Sequence, residues 1–141
     1  MKIIGRDSEM EQLRRLYEAH SPEFVVVYGR RRVGKTFLVN HFFKDNFTFK
    51  VTGLAKKDKN AQLLNFGEAL KRQGSPLCPI PQSWNEAFGS LRTLIENSGK
   101  TGKKVVFIDE LPWMYTPRSE LVTAIEHFWN DWGCTREDLL L

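Results

Sequence analysis

The sequence predicts an α/β domain of three layers, with a parallel sheet between two layers of helices. Three observations predict it. Short apolar runs, Phe24–Tyr28 and Val105–Ile108, are separated by stretches of helical periodicity about 10–15 residues long, the pattern of βαβ units. The second run has no polar interruption, as a strand buried on both faces requires. Glycine follows the first run and two carboxylates follow the second, so both runs end in residues suited to a ligand site at the carboxyl ends of strands.

The elements can be justified in order. Ser8 and Glu11 spell a capping box, and Met10, Leu13, Leu16 and Tyr17 recur at helical spacing, so residues 8–20 read as a helix stopped by Ser21-Pro22. The strand Phe24–Tyr28 leads into a glycine-bounded loop and a helix that should run to about Lys44. Residues 47–52 alternate and form a second strand. Lys56-Lys57-Asp58-Lys59-Asn60 reads as a solvated break before a helix over about 60–73, with Leu63, Leu64, Gly67 and Leu70 on one face and Gly74-Ser75-Pro76 at its end. A second capping box, Ser83 and Glu86, opens a helix to Asn97 whose core stripe is Trp84, Ala87, Phe88, Leu91, Leu94 and Ile95. Lys104 leads into the strand that ends at Asp109-Glu110. Thr116-Pro117 is read as the opening of a last helix, with Leu121, Ile125, Phe128, Trp129 and Trp132 inward and Gly133 at its end. Leu139-Leu140-Leu141 begins another apolar run.

The bulk composition fits one domain spanning 1–141. Hydrophobic residues make up 41% and charged residues 27%, as in ordinary globular chains. No apolar stretch reaches the ~20 residues of a membrane helix, and MKIIGRDSEM lacks a signal-peptide core. The two cysteines, Cys78 and Cys134, are too far apart in sequence for a C-x-x-C motif and read as reduced thiols. A cytoplasmic protein without membrane attachment is expected. The net charge of +4 is mild, and four of the basic residues belong to the loop described next.

That loop, Gly29-Arg30-Arg31-Arg32-Val33-Gly34-Lys35-Thr36, fits G-x-x-x-x-G-K-[ST] between a strand and a helix. The glycines let successive N–H groups point into one concavity, and the helix aims its positive dipole end at the same place. Lys35 brings a charge to the β- and γ-phosphates of a nucleoside triphosphate, and the Thr36 hydroxyl is a ligand for Mg²⁺. Asp109 is the expected second metal residue, and Glu110 is the expected catalytic carboxylate, polarising a water for attack on the γ-phosphorus.

GRRRVGKT and VVFIDELPWM, preceded by IIGRDSEMEQL, together resemble the AAA+/STAND-related P-loop ATPases of prokaryotes, the "archaeal ATPase" family. The resemblance implies a three-layer P-loop NTPase of the ASCE/AAA+ type, with ATP and Mg²⁺ as ligands. It implies phosphate and Mg²⁺ binding at Lys35 and Thr36, a metal role for Asp109 and catalysis by Glu110. It also implies that Ile4, Gly5 and Arg6 lie near the adenine, and that a strand is inserted between the two motif strands. Family members continue into a sensor strand, a helical lid and often a DNA-binding or nuclease-like domain. The chain is therefore read as truncated before sensor and lid, with homo-oligomer formation, and DNA contact through regions outside it, as further expectations. ATP hydrolysis leads, with the truncation expected to leave this chain a poor or inactive ATPase beside its parent. A nucleotide-binding switch or assembly module with little or no turnover is the alternative, and a DNA-associated regulatory ATPase is the third reading.

Overall fold

The computed structural model describes residues 7–18, 35–43, 46–98, 103–116, 120–136 and 139–140. Its elements in chain order are α1 (Asp7–Glu18), α2 (Lys35–Phe43), β1 (Phe49–Thr52), α3 (Lys59–Gln73), α4 (Trp84–Glu96), β2 (Lys104–Asp109), the short α5 (Leu111–Met114), α6 (Leu121–Asp131), a 3₁₀ turn (Gly133–Thr135) and β3 (Leu139–Leu140). The strands form a parallel sheet of order β1-β2-β3. Phe49 pairs with Val106 and Thr52 with Asp109, while Lys104 pairs with Leu139.

The period-2 geometry of the strands divides the core into two clusters, one on each side of the sheet. Val105 and Leu140 pack with Leu13 of α1 and with Val39 and Phe43 of α2, and Phe107 lies against this cluster. Val106 and Leu139 pack instead with α3, α4 and α6, joined by Ile108. The layers are thus α1 and α2, then the sheet, then α3, α4 and α6, which is the three-layer α/β arrangement expected. Phe66 sits at the centre of the larger cluster, fully buried. Its ring lies 5.1 Å from Phe49, 5.7 Å from Trp84 and 5.5 Å from Phe88, pairings that contribute roughly 0.5–1.5 kcal/mol each beyond burial. Where α4 meets α6, Trp132 lies between two guanidinium groups, Arg92 at 5.2 Å and Arg136 at 5.3 Å.

Local chemistry sets the element ends. The Asp58 side chain accepts from the Ala61 N–H at 2.9 Å and caps α3. The charged break therefore does supply the helix start, and Lys56 and Lys57 are solvent-exposed as expected. Gly74 closes α3 at φ 149°, a conformation that L side chains rarely adopt. Ser83 caps α4 by accepting from Glu86 N–H at 3.1 Å, while the Glu86 carboxylate accepts from Gln82 N–H at 2.7 Å. The reciprocal bond comes one residue before the cap, a small shift from the ideal box.

Three local expectations are corrected. Leu64 is 48% exposed, and the buried stripe of α3 runs through Leu63, Phe66, Gly67 and Leu70. Helical phase explains it, since 63, 66, 67 and 70 keep one face and 64 leads to its flank. The last helix starts at Leu121 and not at Thr116-Pro117, because Glu120 adopts a left-handed φ of 61° just before it. Leu111–Met114, expected only to leave the sheet, closes one helical turn with Pro112 early in it. The C-terminal apolar run joins the sheet beside β2, opposite β1. The expected strand Phe24–Tyr28 lies outside the described residues.

Among the described residues no strand pairs with the outer side of β1, and amide side chains bond to its backbone there. Gln73 accepts from Lys50 N–H at 2.8 Å and donates to Lys50 C=O at 2.6 Å. Asn65 donates to Thr52 C=O at 2.8 Å. Helix α3 thereby supplies polar partners to three backbone groups of β1.

Candidate nucleotide site

The sheet is the frame for this site, because parallel strands bring their carboxyl ends together on one side. Asp109 is the last residue of β2 and is 5% exposed. Its Oδ1 accepts from the N–H of Glu110 at 2.9 Å. Its carbonyl accepts from Gly53 N–H at 2.9 Å, which ties the exit of β1 to the exit of β2.

Glu110 turns the chain sharply. Its backbone is left-handed, φ 56° and ψ 43°, a conformation that costs a non-glycine residue about 1–2 kcal/mol. The surroundings impose it. The Glu110 carbonyl accepts from Trp113 N–H at 3.0 Å, and a Cβ on Gly53 would come within 2.5 Å of that same carbonyl oxygen. Asp109 is buried at the strand end, and Glu110 is half-buried with its carboxylate making no capping bond to α5.

On the other side of the sheet, Lys35 and Thr36 form the start of α2. Phe43 lies against Phe47, just before β1, at a centroid distance of 5.7 Å. One turn earlier, Asn40 accepts from Lys50 Nζ, inside β1, at 2.6 Å. Asn40 and Phe43 thus both face the start of β1, where Lys50 Nζ lies over the Phe47 ring at 5.4 Å. The side chains of Lys35 and Thr36, the loop residues Gly29, Arg30, Arg31, Arg32, Val33 and Gly34, and the leading Ile4, Gly5 and Arg6 lie outside the described residues.

Two residues of this site had no motif to announce them. Gln62 is 1% exposed and bonds to the segments leaving both β1 and β2. Its only trace in the sequence is a polar residue on the apolar stripe of α3. Gly53 follows β1 in a stretch with no turn motif, and its need for a missing Cβ arises wholly from the approach of Glu110 and Met114.

Among the described residues no cluster of three His, Cys, Asp or Glu could hold a metal ion. That is compatible with Mg²⁺, which keeps several waters and takes one or two protein oxygens. The oxygen donors named here, the Asp109 carboxylate and the Thr36 hydroxyl, are of the hard type that Mg²⁺ selects.

Residues 2–125 match the family described as AAA ATPase domain. The chain belongs to this family. The AAA ATPase match spans the glycine-lysine loop, the acidic pair and the helices between them, so it agrees with the resemblance carried by the two motifs. The chain is also similar to an uncharacterized ATP-binding protein of Methanocaldococcus jannaschii, 38% identical over 43 residues, which is 30% of this chain and 73% of that protein. No solved structure matches the chain.

Proposed function

We propose that this AAA ATPase domain binds ATP with Mg²⁺ and hydrolyses the γ-phosphate. The observation that carries the reading is the pair of acids at the end of β2: a buried Asp109, then a half-buried Glu110 with a left-handed backbone. A strained backbone at a strand end, in a family of ATPase domains, is the kind of geometry retained for a purpose. Membership of the family and the name of the archaeal relative support ATP as the nucleotide.

In this reading the amides of residues 29–36 and the Lys35 ammonium hold the triphosphate, while Ile4, Gly5 and Arg6 border the adenine. Thr36 and Asp109 are the residues that would hold Mg²⁺, which when bound offsets charge on the β- and γ-phosphates. The Glu110 carboxylate accepts a proton from water as the water oxygen bonds to the γ-phosphorus. The bond from that phosphorus to the β–γ bridging oxygen breaks, releasing ADP and inorganic phosphate. A cytoplasmic setting goes with this reading, supported by the free thiols of Cys78 and Cys134.

The decisive experiment is Glu110→Gln, which keeps shape and removes the base. Turnover at saturating Mg-ATP is expected to fall by roughly 10²–10⁴-fold, with affinity for a non-hydrolysable ATP analogue retained. Unchanged turnover would remove Glu110 from the chemistry. Nucleotide binding without measurable turnover in the parent chain would favour the switch reading.

A further inference from the structure

We propose that Gln62 is a positioning residue for Glu110, a buried amide on α3 that holds the turn bearing the carboxylate. The inference rests on the reading of Glu110 as the residue that orients the attacking water. Gln62 lies 48 positions before Glu110 in sequence, and it shares the buried face of α3 with Leu63, Phe66, Ala69 and Leu70. An amide in such surroundings is costly unless its donors and acceptor are all used.

They are used, and on a specific set of partners. The Oε1 atom accepts from Leu54 N–H at 3.0 Å. The Nε2 group donates to Leu54 C=O at 2.6 Å and to Trp113 C=O at 2.9 Å, with the Lys57 carbonyl farther off at 3.4 Å. The two short bonds occupy both amide protons. One side chain therefore staples the segment leaving β1 to the segment leaving β2.

The Trp113 end of that staple leads directly to Glu110. Trp113 N–H donates to the Glu110 carbonyl at 3.0 Å, so Gln62 and Glu110 are two hydrogen bonds apart through one residue. The left-handed conformation of Glu110 persists only while its neighbours over-determine it. On the β1 side, Gly53 comes close enough to the Glu110 carbonyl to leave no room for a Cβ. The Gln62–Trp113 bond fixes the far end of the turn. With that bond gone the turn can relax toward an ordinary backbone conformation, and the carboxylate leaves its line to the reacting phosphorus. Glutamate at 62 would set a second acceptor oxygen against two carbonyls, and leucine would remove all of these bonds, so an amide is the side chain that fits.

The test uses the 141-residue chain with Gln62→Leu, Glu110→Gln and the double variant. For Gln62→Leu, turnover is expected to fall about ten- to a hundredfold, as small misplacement of a reacting group does, with affinity for a non-hydrolysable ATP analogue within about twofold. The double variant is expected to turn over no more slowly than Glu110→Gln, because a residue acting through Glu110 has nothing left to position. Losses that multiply in the double variant, or parental turnover in Gln62→Leu, overturn the positioning role and leave the reading of Glu110 standing. Parental turnover in Glu110→Gln overturns that reading instead.

Amide hydrogen exchange gives a readout independent of turnover. In Gln62→Leu the amides of Glu110 and Trp113 are expected to exchange at least about tenfold faster, while Leu91–Ile95 in α4 keep their protection. Unchanged exchange at 110 and 113, or a uniform rise across the domain, overturns the inference. Gln62→Asn, one methylene shorter, takes the same measurements where Gln62→Leu does not fold.

Discussion

Gly53 and Glu110 are packed so closely that a Cβ on the glycine would lie 2.5 Å from the glutamate carbonyl oxygen and 2.7 Å from Met114 Cγ. The first neighbour is backbone and cannot swing aside. Gly53→Ala is therefore expected to push the turn at Glu110 outward and to destabilise the domain by about 1–3 kcal/mol. Urea unfolding of the variant checks the stability, and under the proposed function its turnover falls more than its nucleotide affinity. Parental stability and turnover together would show that the close approach has no consequence.

Lys35 opens α2. If the triphosphate binds there, Lys35→Ala removes the one point charge the motif brings to the β- and γ-phosphates. The dissociation constant for ATP, measured by calorimetry, is expected to rise at least about tenfold, or 1.4 kcal/mol. Binding at parental strength would move the nucleotide away from this helix.

Gln73 accounts for both backbone groups of Lys50 on the outer side of β1. Gln73→Leu leaves a donor and an acceptor without their partner, at a cost of about 1–3 kcal/mol. It also opens the strand edge to a second chain. A lower urea midpoint and a concentration-dependent rise in mass by light scattering are expected. A monomer of unchanged stability would mean that water replaces the amide at no cost.

Asp58 caps α3 from an exposed position, so its replacement tests the cap almost in isolation. Asp58→Ala is expected to destabilise by roughly 0.5–2 kcal/mol. The helix it caps carries Gln62 at its start. Chemical denaturation measures the loss, and a value within error of zero would assign the helix start to packing alone.

Much of this domain is legible in its residues. Val105–Ile108 declares a buried parallel strand because no polar side chain interrupts it, and the structure puts β2 at the centre of the described sheet. Trp84, Ala87, Phe88, Leu91, Leu94 and Ile95 declare a buried helix face by spacing, and all six are buried. Asp109 and Glu110 stand out as acids at the end of an apolar run, where a hydrophobic strand has no structural use for them.

Those readings share a cause. Strand and helix periods, caps and phosphate-loop spelling are short-range properties, set by neighbours a few residues away. By itself, the order of residues determined the α/β class, most of the described helices and strands, and the family. Only the tertiary structure decided that Gly53 must lack a side chain, that Gln62 reaches Trp113, and that α3 amides bond to the outer side of β1. Each depends on which segments meet across the sheet, and a residue has no local signal for a neighbour 50 positions away. The left-handed backbone at position 110 is of the same kind, since glutamate has no preference for it and it stands where the exit of β1 comes closest.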